Sequence, residues 1–122
     1  MITGLVNADL EAVIRLKIRG ASGQEEDIEA VIDTGFNGFL TLPLSIISAL
    51  GCAYLSQGFV ILGGGRLEET PIYETIVNWD GQDFSVETDA AESEPLVGMT
   101  LMNSYELMVH AEIGGLVSLR KI

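Results

Sequence analysis

The residue best placed to do chemistry in this chain is Asp33. It closes an apolar run, Ala30-Val31-Ile32, and is followed at once by Thr34 and Gly35. From Thr34 through Gly65, 32 residues carry no charged side chain. A carboxylate at the head of such a run is costly to bury unless it is paired or used. The chemistry open to it is acid–base work on a bound water. Other reactive residue types are scattered. His110 stands alone, without a Ser or Cys motif that would make it a catalytic base, and reads as a surface strand residue. Cys52 reads as a small core residue. One His and one Cys are too few for a structural zinc site, and a single Cys excludes an intrachain disulfide. Acids abound, but Glu68, Glu69, Glu92 and Glu94 read as solvated rims, and no motif selects a pair for glycoside hydrolysis.

The elements that must position Asp33 are mostly strands. Residues 12 to 19 alternate, with Ala12, Ile14, Leu16 and Ile18 on one side and Val13, Arg15, Lys17 and Arg19 on the other, the period of a half-buried strand. Gly20-Ala21-Ser22-Gly23 is a turn, and Ile28 to Ile32 is the partner of a hairpin whose acids face the three bases. Phe39 to Leu42 is a short strand. Pro43 suits a first helical position, and Leu44 to Leu50 has helical spacing with Gly51 as the stop. Tyr54 to Leu62 and Glu68 to Trp79 are strands around Gly63-Gly64-Gly65, with Tyr73, Thr75, Val77 and Trp79 on one side. Asp80-Gly81 is a two-residue hairpin turn into Gln82 to Thr88. Leu96-Val97-Gly98 is a short buried strand, Met99 to Ser104 a helical turn at most, and Tyr105 to Val109 and Leu116 to Lys121 close the chain. Val31-Ile32 and Leu96-Val97 echo one another, each an apolar pair at a strand end with a Gly shortly after. The pattern is an all-β barrel or sandwich in one domain over residues 1–122.

The net charge of −12, from 18 acids against 6 bases, argues against nucleic acid or an anionic membrane as partner. A hydrophobic content of 48% and a mean hydropathy of +0.35 are high for a lone soluble domain and suit apolar surface shared with a second copy. The uncharged stretch is broken by Asn37, Pro43, Gln57 and several serines and glycines, so it reads as core rather than as a membrane helix. The N-terminus shows no basic region or long apolar core, and the expected location is cytoplasmic.

Asp33-Thr34-Gly35 with its flanks, Ala30 through Leu40, resembles the catalytic segment of the retroviral-type (retropepsin-like) aspartic proteases, especially their small bacterial and archaeal homologues. Phe59 through Gly65 resembles that family's flap hairpin. Pro95 through Met102 resembles the apolar-apolar-Gly segment with its short helix, and Gly115 through Leu119 the closing strand. The resemblance implies a closed acid-protease-like barrel with one short helix, whose half-site is completed by homodimerisation. Amide hydrolysis in that family needs a water held by two carboxylates that share one proton, because two so close do not both ionise. This chain offers one such Asp, so the second comes from another copy across a two-fold axis. Asp33 is then catalytic, Thr34 braces the two loops, and Gly35 lets the backbone pass close to the carboxylate. Phe36, Asn37, Leu62, Gly63, Gly64, Gly65 and Val97 are the substrate-binding candidates, with Phe39 a further pocket residue. The substrate is a peptide or protein, and no metal or organic cofactor is implied. Phe36 departs from the Ala or Ser common at that position and narrows the site. The rival reading is a catalytically silent module that keeps the fold for dimerisation or peptide binding.

Overall fold

The computed structural model describes residues 1–61 and 65–122. Its first strand, β1 (Ile2–Val6), lies ahead of the alternating stretch and pairs antiparallel with β2 (Ala12–Arg19). Along β2, Ile14, Leu16 and Ile18 are buried while Arg15 and Lys17 are exposed. β3 (Glu25–Ile32) runs antiparallel to β2, setting Arg15 opposite Glu29, Lys17 opposite Asp27 and Arg19 opposite Glu25. The expected charge pairs form, Arg15 to Glu29 at 3.5 Å and both Lys17 and Arg19 to Glu25 at 3.9 Å. They lie at the surface, where each contributes about 0–1 kcal/mol.

β4 (Leu40–Leu42) leads directly into α1 (Leu44–Leu50). Pro43 occupies the N-cap in an extended conformation, one position earlier than its helix-starting preference suggests, and Gly51 ends the helix in the left-handed region at φ 63°. Ile47 and Leu50 are the buried face of this helix, worth about 2 kcal/mol each in area removed from water. β5 (Ala53–Ile61), β6 (Leu67–Trp79) and β7 (Gln82–Ala90) follow as antiparallel neighbours. β6 turns into β7 at Asp80-Gly81, both with positive φ (52° and 87°), as a tight hairpin turn of matching twist requires. β8 (Leu96–Val97), β9 (Tyr105–Val109) and β10 (Leu116–Lys121) complete the chain.

The strand order is β5-β6-β7-β4-β8-β3-β2-β1-β10-β9, and a further pairing of β6 with β2 closes β6-β7-β4-β8-β3-β2 into a six-stranded barrel. Its interior is filled by Ile14, Ile18, Leu40, Leu42, Val77 and Val97, all nearly or fully buried. Two extensions leave the ring. On one side β1, β10 and β9 continue from β2. On the other, β5 and the first half of β6 form a two-stranded arm, because β7 pairs with β6 only from Ile72 onward. The Thr70 hydroxyl fastens the base of this arm by donating to the Ala90 carbonyl at 2.6 Å. Beneath the arm, the Thr75 and Thr88 hydroxyls hydrogen-bond at 2.7 Å in the interior. At the opposite end, Asp80 receives the Met1 ammonium at 2.6 Å and the Tyr105 hydroxyl at 2.9 Å, tying β1 and β9 to the β6–β7 turn. Among the described residues no helix is long and apolar enough to cross a membrane.

Candidate active site

The two echoing segments meet. β8 lies between β3 and β4, parallel to β3 with Val31 beside Leu96 and Ile32 beside Val97, and antiparallel to β4 with Leu40 beside Val97 and Thr41 beside Leu96. The chain from Asp33 to Phe39 therefore has to cross the end of β8. It does so as a turn fastened by a series of hydrogen bonds. The Asp33 N–H donates to the Val97 carbonyl at 2.9 Å, and the Phe36 N–H to the Asp33 carbonyl at 3.2 Å. From the other side Gly98, Met99 and Thr100 donate their N–H groups to the carbonyls of Phe39 (3.0 Å), Phe36 (2.8 Å) and Gly38 (3.1 Å). The Thr100 hydroxyl donates to the Asn37 carbonyl. A backbone satisfied in this way does not need regular secondary structure to stay in place.

Gly98 and Gly38 make this crossing sterically feasible. A Cβ on Gly98 would lie 2.2 Å from the Gly38 carbonyl oxygen and 2.7 Å from Cδ2 of Phe36; one on Gly38 would lie 2.6 Å from the same ring. The ring of Phe36 thus packs into the hollow the two glycines leave, and it also borders the cleft beside Asp33. Gly35 is different. Its Cβ would stand 3.3 Å from Asp33 Oδ1, a tight contact rather than a clash.

Asp33 is half-buried, and Thr34 and Gly35 are exposed. The Gly35 N–H donates to Asp33 Oδ1 at 2.9 Å, which orients the carboxylate. Among the described residues the carboxylate makes no ion pair. It borders a cleft of about 760 Å³, together with Gly35, Phe36, Thr41 and Leu96 from the barrel, Glu68, Glu69, Thr70 and Pro71 from the arm, and Asp89 and Glu92 from the end of β7 and the loop beyond. Burial pushes the Asp89 carboxyl up from its ordinary value, and the charge of Glu87 adds to this. Among the described residues no three or more His, Cys, Asp or Glu side chains are grouped to hold a metal ion.

The remaining candidates divide. Asn37 is exposed and contributes its carbonyl to the turn rather than a surface to the cleft. Val97 is fully buried in the barrel interior; the alternation of β8 turns its neighbour Leu96 to the cleft instead. Phe39 lines a second cleft of about 540 Å³ beside Trp79 and Tyr105, away from Asp33. Leu62, Gly63 and Gly64 lie outside the described residues, while Gly65 is exposed with φ 77°. His110 is exposed just past β9, and Cys52 is half-buried against the core with its thiol pushed up by burial. The acids at 68, 69 and 92, expected to be plain rims, border the cleft together with Asp89. The pairing that brings Asp89 beside Thr41 is parallel and distant in sequence, so no local pattern announces it.

Compared with known proteins, the chain matches no family model, no curated protein and no solved structure.

Proposed function

We propose that this chain is a cytoplasmic aspartic endopeptidase of the retroviral type, working as a homodimer in which the Asp33 carboxylates of two copies act on one water. The observation that carries this reading is the Asp33-Thr34-Gly35 turn, held by residues 97–100 yet presenting, at the border of a large cleft, a carboxylate that makes no ion pair among the described residues. A rigid turn that exposes one carboxylate, with the small Gly35 next to it, leaves room for a matching turn to approach along a two-fold axis. In the reaction, one carboxylate of the pair takes a proton from the water as its oxygen attacks the peptide carbonyl carbon. The other gives its proton to the carbonyl oxygen, and the C–N bond then breaks as the departing nitrogen is protonated. Thr34, exposed at the same turn, supplies a hydroxyl to join the two loops.

Two further features support this reading. The arm of β5 and β6 borders the cleft, where a flap would cover an extended peptide. Large apolar side chains are exposed on the β1-β10-β9 extension, including Leu5 opposite Leu116, and Met108, a surface that a second copy would shield. The test is cleavage of an unfolded protein between about pH 4 and 7, the range in which a shared-proton pair works. Wild type is expected to cleave and Asp33→Asn to lose at least a hundredfold in rate; equal rates remove the hydrolase. Sedimentation is the separate test of assembly, since a monomer at micromolar concentration has no second carboxylate.

A further inference from the structure

We infer that the cleft beside Trp79, Phe84 and Tyr105 binds a small carboxylic acid with a flat apolar body, whose carboxylate meets the Trp79 indole N–H and the Lys121 ammonium. This cleft lies away from Asp33, and the inference does not depend on hydrolysis.

Trp79 ends the inward face of β6. Thr75, Val77 and Trp79 alternate on that face at 1%, 0% and 4% exposure, so the indole lies at the barrel end where β6 turns into β7. Its ring packs edge-on against Tyr105, with centroids 5.7 Å apart and planes at 74°. The indole nitrogen is nevertheless an orphan. Among the described residues it is the one buried side-chain nitrogen or oxygen without a hydrogen-bond partner. A buried N–H left unpaired costs free energy, so native structures rarely keep one without a reason. Trp79 also borders a cleft of about 540 Å³, a volume that suits a small organic molecule. The acceptor that the fold does not supply therefore has a way in.

A second observation sets the body of the ligand. Phe84 of β7 stands directly opposite Val77 and shares its inward face with Val86, Thr88 and Ala90. Those three are at most 9% exposed, yet Phe84 is 45% exposed and borders the cleft. An aromatic ring on the core side of a barrel, left half uncovered, offers a stacking surface to a flat apolar partner. Phe39 and Leu101 add apolar lining. The charge of the ligand follows from the cleft's two ionic groups. Asp80, the one acid that borders it, already receives the Met1 ammonium at 2.6 Å and the Tyr105 hydroxyl at 2.9 Å. Lys121, beside Tyr105 in the β9–β10 register, brings a cation to the same space. A carboxylate can accept from both the indole and the ammonium. A neutral carbonyl satisfies the indole alone, and an amine satisfies neither. The indole N–H has almost no exposed surface, so a ligand reaches it only as the lining side chains part, which alters the surroundings of the ring.

Trp79 is the only tryptophan in the chain, so its fluorescence reports this site. The full chain is titrated at about pH 7, where carboxylate and ammonium are both charged, with 3-phenylpropionate, its primary amide, 3-phenylpropylamine and acetate. The phenylpropionate is expected to give a saturable change with a Kd of about 0.1–1 mM, and the amide one about tenfold weaker. The amine and acetate are expected to give none at the same concentrations. Lys121→Gln is expected to weaken the acid about tenfold and to leave the amide unchanged. Trp79→Phe keeps a ring in place and removes the N–H; ligand-observed NMR is expected to show acid and amide both weakened about fivefold. Asp33→Asn is expected to bind as wild type does, which separates this site from the hydrolase reading. An amine that binds as well as the acid, an acid indifferent to Lys121→Gln or to Trp79→Phe, or no saturable signal from fluorescence or NMR up to about 10 mM acid overturns the proposal.

Discussion

Gly98→Ala is the sharpest perturbation of the turn that carries Asp33. The added Cβ would sit 2.2 Å from the Gly38 carbonyl oxygen and 2.7 Å from the Phe36 ring. An ordinary contact needs well over 3 Å, so one of the strands or the turn has to move by about 1 Å. The Phe36 ring has a torsion with which to give way; the Gly38 carbonyl is backbone and accepts the Thr100 N–H at 3.1 Å. Overpacking costs about 1–3 kcal/mol, and losing that hydrogen bond in a site closed on both sides costs about 1–3 kcal/mol more. A total near 3 kcal/mol lowers Tm by about 10 °C in a chain of this size. Thermal and urea unfolding followed by circular dichroism measure it. Two companion variants sharpen the reading. Gly35→Ala, with its 3.3 Å contact to Asp33 Oδ1, is expected to shift Tm by less than about 2 °C. Phe36→Ala on the Gly98→Ala background removes the ring contact but not the carbonyl contact, so it restores no stability to the double variant. A Tm for Gly98→Ala within about 2 °C of wild type refutes the close-approach reasoning. Full recovery in the double variant shows that the ring, not the carbonyl, sets the constraint.

Other expectations concern the frame around the site. Thr88→Val leaves the buried Thr75 hydroxyl without its 2.7 Å partner and is expected to cost about 1–3 kcal/mol, whereas Thr75→Val with Thr88→Val is expected to cost much less; a double-mutant cycle in urea checks the difference. Asp80 is held below its ordinary value of 3.8, first by the hydrogen bond from the Met1 ammonium and then by that from the Tyr105 hydroxyl. A carboxyl lowered on folding contributes stability above its unfolded value and loses it as pH falls through its folded one. Asp80→Asn is therefore expected to lower Tm at pH 7 and to match wild type once the pH is taken well below 3.8, and a constant gap across that range contradicts the assignment.

How much of this was legible in the sequence depended on whether the signal was local. The alternation of Ile14, Leu16 and Ile18 marked β2, Asp80-Gly81 marked the β6–β7 turn, and the spacing after Pro43 marked α1, because each is decided within a few residues. β1 carries no such mark: Gly4 interrupts it and Leu5 is exposed, and only its two partners make it a strand. Barrel closure by β6 on β2 is likewise a property of distant segments. At the site, Asp33 and its turn were visible as a lone carboxylate between apolar runs. Asp89 and Thr41 were not, because a parallel pairing between β4 and β7 brings them together. Val97 was assigned to the cleft and Leu96 was not. A two-residue strand shows its apolar character in sequence but not which residue faces inward.

The placement of β8 also sets an order of events. β3 and β4 do not pair with one another; each is hydrogen-bonded to β8, which follows β3 by more than half the chain length. Until residues 96–100 arrive, the turn at Asp33 lacks the Val97 carbonyl and the donors of Gly98, Met99 and Thr100 that fasten it. A nascent chain that has emerged only as far as β7 can form its hairpins but has no ordered Asp33 turn. The Asp33 carboxylate thus comes into its geometry only once β8 and the residues after it are in place.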